Sequence, residues 1–158
     1  HFERYITEEL KGFEDKVLSA RESAATPFVA TKLAIPEGSP ILFIERLRTV
    51  ATVPLSLDTT SLRPEAIDAL EGANLVEEDV FGLLEERLGV RLGQAENTVE
   101  AVAADTGTAR LLDVRPGSPV LLMHRLTFLE DGTPFDLESV RYRSDRVSLT
   151  SVTPRLQR

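Results

Sequence analysis

Cysteine and tryptophan are absent from this chain of 158 residues, and methionine occurs once. Without cysteine there is no disulfide, no thiolate metal site and no cysteine nucleophile. That composition fits a reducing, cytoplasmic setting. Histidine is nearly as scarce. His1 and His124 are the two in the chain, far apart and without cysteine partners, so no metal-ligand constellation appears. No apolar run approaches the ~18 residues that a membrane span needs. Nothing at the N-terminus resembles a signal peptide, and the first residue is His1 rather than Met, as expected of a piece of something larger. Positive charge is short as well. Eighteen Lys and Arg face 26 Asp and Glu, a net charge of −8 at pH 7, where a nucleic-acid surface needs a basic patch. Residues 71–105 hold nine acids and two bases, residues 106–158 eight arginines and six acids, and neither reads as a DNA footprint. The Gly-x-Ser-x-Gly elbow, the dinucleotide-binding glycine fingerprint and the phosphate loop are all missing.

What is present is ordinary for one globular domain: 42% hydrophobic and 28% charged residues, at a length close to the usual ~100–150 residues. Among the bases, arginine outnumbers lysine fifteen to three. Arginine suits bidentate recognition of carboxylate or phosphate, and a GC-rich genome produces the same bias.

The chain repeats itself once. Gly38-Ser39-Pro40-Ile41-Leu42 is echoed 79 positions later by Gly117-Ser118-Pro119-Val120-Leu121. Arg46-Leu47 matches Arg125-Leu126. After one extra residue Pro54-Leu55 matches Pro134-Phe135, and Asp58 matches Glu138. Backwards, Thr26 matches Asp105, Leu33 matches Leu112 and Ile35 matches Val114. The repeat spans about 17–58 and 96–138, too long a period for a solenoid. It predicts a duplicated unit with pseudo-two-fold symmetry.

Each unit reads as strand, short helix, long strand, return strand. Val17–Ala24 and Thr98–Ala104 carry the small and branched residues of strands. Thr26 with Pro27 is an N-cap and first-turn pair, and Asp105 caps the second helix. Both helices end near Leu33 and Leu112, before Pro-Gly turns. Long strands follow at Ile41–Val50 and Val120–Leu129. Glu130-Asp131-Gly132-Thr133 is a hairpin turn, and Ala51-Thr52-Val53 fills that role in the first copy. Return strands run from Leu55 to about Ser61 and from Phe135 to Tyr142. Between the units, Val80, Leu83, Leu84 and Leu88 form a helical apolar stripe, with Asp79 to cap it, Gly89 to close it, and Glu85, Glu86 and Arg87 facing water. Thr7 is the expected cap of a short helix at the start. The sum is an α+β fold around a mostly antiparallel sheet.

Strand parity singles out candidate residues. Arg46 and Arg48 share a face, and two adjacent guanidinium groups need an anion, carboxylates or water between them. Asp58 lies on the return strand opposite. Asp136, Glu138 and Tyr142 share a face of the last strand. Together they make either a polar pocket for a small anionic or hydroxylated ligand or a ladder of cross-strand salt bridges. His124, in a strand, reads as a packed or rim histidine.

Three strings, in this order and spacing, carry a resemblance: Phe43-Ile44-Glu45-Arg46-Leu47-Arg48 with Pro54-Leu55-Ser56-Leu57-Asp58; Leu84-Glu85-Glu86-Arg87-Leu88-Gly89 with Thr98-Val99-Glu100-Ala101; and Leu129-Glu130-Asp131-Gly132-Thr133-Pro134 with Tyr142-Arg143-Ser144-Asp145-Arg146. From about Tyr5 to Leu149 the chain resembles the UTRA domain, the effector-binding half of HutC-type regulators in the GntR superfamily. The resemblance implies a chorismate-lyase-like fold. It implies that residues 1–158 form one effector-binding and dimerisation domain, with a winged helix-turn-helix that binds operator DNA lying N-terminal to them. It implies a cytoplasmic homodimer, no cofactor, no metal, no membrane and no catalysis. A small anionic metabolite, such as a sugar phosphate, would shift the population of DNA-binding states. By position, Arg46 and Arg48 fall on the phosphate-holding arginines. Tyr5, Ile6 and Thr7 fall on backbone amides at a helix start, and Asp58, Asp136 and Tyr142 on further effector contacts. Glu138 is kept as the repeat partner of Asp58. Asp79 stands where a serine is common. Extra negative charge beside a phosphate costs about 1–4 kcal/mol per pair at ~4 Å. Two other readings are a chorismate-lyase-type enzyme, for which no positioned base or nucleophile stands out, and a dimerisation module without ligand.

Overall fold

The computed structural model describes residues 13–155. Six strands form one open, wholly antiparallel sheet in the order β1-β2-β3-β6-β5-β4. They are β1 (Phe13–Ala24), β2 (Pro40–Val50), β3 (Val53–Leu62), β4 (Leu92–Ala103), β5 (Pro119–Leu129) and β6 (Pro134–Arg143). The helices are α1 (Pro27–Leu33), α2 (Glu65–Ala69), α3 (Val80–Leu88) and α4 (Thr106–Leu112).

The duplication is visible atom by atom. Thr26 Oγ1 accepts from Val29 N at 3.3 Å and Asp105 Oδ1 from Thr108 N at 2.7 Å, each capping its helix. Ala25 N donates to Ser39 O and Ala104 N to Ser118 O, both at 2.8 Å. Gly38 (φ 79°) and Gly117 (φ 83°) supply the same left-handed turn. Ala34 and Asp113 end the two helices with φ of 52° and 55°. The β3–β6 seam, which joins Thr59 to Ser139 in register, is the pseudo-two-fold axis.

The helices cross that axis. α1 packs on β6 and α4 on β3. Leu33 of α1 is buried with Ile41, Leu126 and Leu137, and Leu112 of α4 with Leu57 and Val120. One sheet face is therefore closed by each unit's helix lying on the other unit's strand. The opposite face is covered at one end by α2 and α3, through Ala66, Leu70 and Leu84 on Ile44 and Leu62. At its other end Val147 and Leu149, beyond β6, pack on Met123, Val140 and Tyr142.

Several expectations shift in detail. β1 and β4 both begin earlier than the apolar pattern suggested, and α2 had no signal of its own. Val53 belongs to β3, so the β2–β3 turn is Ala51-Thr52 alone, both at positive φ (47° and 70°). Asp79 sits at the N-cap of α3, but its side chain makes no capping hydrogen bond. Glu85 and Arg87 do more than face water: Glu85 accepts from Leu92 N at 3.2 Å, and Arg87 donates to Ala69 O at 2.7 Å. Thr7 lies outside the described residues.

Candidate functional site

Register settles which side chains share a face. Arg46 stands opposite Asp58, and Arg48 opposite Ser56. Across the central seam Ser56 faces Tyr142, Thr60 faces Glu138 and Leu62 faces Asp136. All six expected sheet residues, Arg46, Arg48, Asp58, Asp136, Glu138 and Tyr142, therefore lie on the face that α2 and α3 partly cover. They form a polar band between the two apolar caps of that face, across strands β2, β3 and β6.

Burial of this band is deep. Asp58 is 1% exposed, Asp136 0%, Tyr142 2% and Glu138 6%. Three buried carboxylates on two adjacent strands are costly to desolvate without cations and donors beside them. Arg48 answers part of that need: its Nη2 lies 3.1 Å from Asp58 Oδ2, and its Nε 3.8 Å from Asp15 Oδ2. Arg46 reaches the other way and donates from Nη2 to Leu75 O at 2.9 Å, tying β2 to the segment between α2 and α3. Each arginine is thus held by an acceptor of its own.

Asp15 escaped the sequence reading because an acid on an edge strand gains meaning only from its register with Arg48. The Leu75 carbonyl is backbone and carries no sequence signal. Asp79 is exposed, and its carboxylate lies over Gly82, where a Cβ would stand 2.6 Å from Oδ2. Tyr5, Ile6 and Thr7 lie outside the described residues.

Two other features carry no comparable argument. On the opposite face His124 Nδ1 and Ser139 Oγ are 2.7 Å apart, and Phe28 packs on the imidazole at 5.3 Å between centroids. A surface recess of about 510 Å³ beside Asp113, Ser118 and Arg143 has its guanidinium engaged by Asp145 at 2.8 Å and by Leu112 O at 3.3 Å. Among the described residues no cluster of His, Asp and Glu is suited to a metal ion, and no helix is long and apolar enough to cross a membrane.

Residues 11–148 match the UTRA domain. The chain belongs to the UTRA family. Among curated relatives it is 30% identical over 142 residues to the HTH-type transcriptional regulator Rv0792c of Mycobacterium tuberculosis, covering 88% of this chain and 52% of that protein. It is 27% identical over 132 residues to the HTH-type transcriptional repressor NagR of Bacillus subtilis, covering 84% and 54%. This UTRA chain thus spans about half the length of those relatives. Its fold is that of a GntR-family transcriptional regulator from Bacillus cereus (TM-score 0.84, 20% identity, 91% of this chain and all of that one). The effector domain of PhnF from Mycobacterium smegmatis shares it too (TM-score 0.84, 23% identity, covering 98% and 94%). The relatives are named as regulators of transcription, and the domain is of the kind found in GntR-family regulators.

Proposed function

We propose that this UTRA domain is the metabolite-sensing and dimerising half of a transcriptional repressor. Its effector is a small acidic metabolite, such as a sugar phosphate, bound on the polar band. The single observation that carries the reading is the pair Arg46 and Arg48, one strand away from buried Asp58 and on one face with Asp136, Glu138 and Tyr142. Guanidinium groups hold the acid, while carboxylates and the phenol take hydroxyl or amine protons. Tyr5, Ile6, Thr7 and Asp79 complete the proposed effector contacts. Operator DNA is read by a winged helix-turn-helix N-terminal to the chain, in a cytoplasmic homodimer, and no cofactor takes part. NagR, named as a repressor, supports the sign of control.

The hydrogen bond from Arg46 to Leu75 O suggests how binding is transmitted. An anion that recruits Arg46 competes with that carbonyl, and the segment before α3 loses a tether. The coupling is then a population shift set by the effector's differential affinity for the two arrangements.

Thermal unfolding against a panel of sugar phosphates, amino-sugar phosphates and small carboxylates tests this. A ligand at about 100 times its Kd adds ~2.7 kcal/mol, a rise of roughly 5–10 °C in Tm for a chain of this size. The rise is expected with one class and lost in Arg46→Ala. The Arg48–Asp58 ion pair at 3.1 Å also favours a second reading, a salt-bridged dimerisation module without ligand. A flat panel, with salt alone moving the midpoint, selects that module. Pyruvate released from chorismate would select an enzyme instead.

A further inference from the structure

The pseudo-two-fold axis gives the polar band a second half. The twin of Arg46 is Arg125, and the twin of Asp58 is Glu138. Each arginine stands directly opposite its carboxylate on the neighbouring strand: Arg46 with Asp58 across β2 and β3, Arg125 with Glu138 across β5 and β6. Parity puts both pairs on the same face. Continuing outward, Asn97 of β4 faces Arg125, and Thr127 faces Asp136. Thr127 is buried, Arg125 half-buried and Asn97 exposed, so the band runs from buried residues at the central seam to an exposed residue at the β4 edge.

We infer that Arg125, Glu138, Thr127 and Asn97 form a distal subsite of the effector site, one that reads hydroxyl groups and makes the effector an elongated acidic glycoside of disaccharide size. The inference rests on the effector-site reading above. Its geometry follows from the sheet. Arg46 and Arg125 are offset by three strand spacings across the sheet, about 14 Å, and by two residues along it, about 7 Å, and their side chains rise from the same surface. A ligand the size of one sugar ring, held by its acid group at Arg46, ends short of Arg125 and Asn97. A longer one reaches both ends. The distal chemistry also differs from the proximal. Arg125 faces Glu138 and Asn97, and Asp136 lies one step along the same strand, so donors and acceptors are interleaved and the local charge is not positive. Such a set matches vicinal hydroxyls, which donate and accept at once, better than a second phosphate.

Calorimetric titration of the 158-residue chain with inorganic phosphate, glucose 6-phosphate and trehalose 6-phosphate separates the two ends. Trehalose 6-phosphate is expected to bind at least tenfold tighter than glucose 6-phosphate. Arg125→Gln should remove about tenfold of that advantage, weakening the disaccharide far more than the monosaccharide. Asn97→Ala, at an exposed position on an edge strand, should remove part of it. Equal weakening of both sugars, no weakening of either, or a wild-type chain that does not prefer the disaccharide overturns the distal subsite. Arg46→Ala reports separately on the proximal end. If it abolishes binding of all three probes while Arg125→Gln is silent, the effector-site reading stands and the distal subsite falls. If it binds like wild type, or if no probe binds the wild-type chain, both fall.

Discussion

At the scale of single residues, His124 shows how local surroundings set a charge state. Burial disfavours the imidazolium, Arg141 and Lys32 add to that, and Glu100 only partly offsets them, so the pKa lies below its ordinary value. Ser139 Oγ at 2.7 Å occupies Nδ1. The folded state therefore holds a neutral histidine where the unfolded chain begins to bind a proton at about pH 6.5. The stabilisation is fully present above that pH and is lost as the pH falls toward the lowered native value. His124→Gln should flatten the fall in stability over that window, read as urea midpoints from pH 7 to 5; an unchanged slope would show that another group titrates. The two caps offer a matched comparison. Asp105→Ala and Thr26→Ala should each cost about 0.5–2 kcal/mol, with Asp105 the larger because its contact is 2.7 Å against 3.3 Å for Thr26. Chemical denaturation of both variants checks the order.

Among elements, the two hairpins solve one problem differently. Asp131-Gly132 gives β5–β6 a glycine at φ 89°, whereas Ala51 and Thr52 of β2–β3 both adopt positive φ with a side chain present. Left-handed backbone costs an L-residue roughly 1–2 kcal/mol, and a β-branched Thr is the least suited to it. Replacing Ala51-Thr52 by Asn-Gly should therefore raise stability by about 1–2 kcal/mol without moving the register, seen as a higher Tm with an unchanged backbone NMR pattern. The helix ends show a second pairing that the residues alone conceal. Arg63 donates to Leu33 O at 2.7 Å and Arg143 to Leu112 O at 3.3 Å, so in each unit a residue at the end of the last strand or just past it delivers a cation to the C-terminal carbonyl of the unit's own helix, where the dipole favours it. Each guanidinium is in turn held by an acid two residues on: Glu65 at 3.4 Å from Arg63, Asp145 at 2.8 Å from Arg143.

For the whole molecule the decisive feature is the exchange of helices across the seam. Because α1 lies on β6 and α4 on β3, neither unit covers its own central strand. A chain of residues 13–62 or 92–155 alone leaves Leu57 or Leu137 without the helix that buries it, and each should be unfolded. Circular dichroism of the separate fragments, and of an equimolar mixture, tests this; a cooperative melt from either fragment alone would refute it. Leu33→Ala and Leu112→Ala, both fully buried, should each cost about 2–5 kcal/mol of the same global transition.

Local chemistry determined what the sequence by itself could determine. The repeat, the caps at Thr26 and Asp105, the glycine turns and the Asp131-Gly132 hairpin depend on residues within a few positions of each other, so they are legible in one dimension. So is the parity that puts Arg46 beside Arg48 and Asp136 beside Glu138 and Tyr142. The edge strands were only half legible, because β1 and β4 bury little and so lack an apolar alternation; β4 is exposed along most of its length. α2, five residues long, is too short to show a period. Only the tertiary structure could decide that β3 and β6 meet at the centre of the sheet. That meeting brings Asp58 and Glu138, 80 positions apart, into one buried band, sets Asp15 beside Arg48, and seats each helix on the other unit's strand. The reason is physical: strand pairing is a long-range choice made by the burial of two faces at once, and no local preference encodes it.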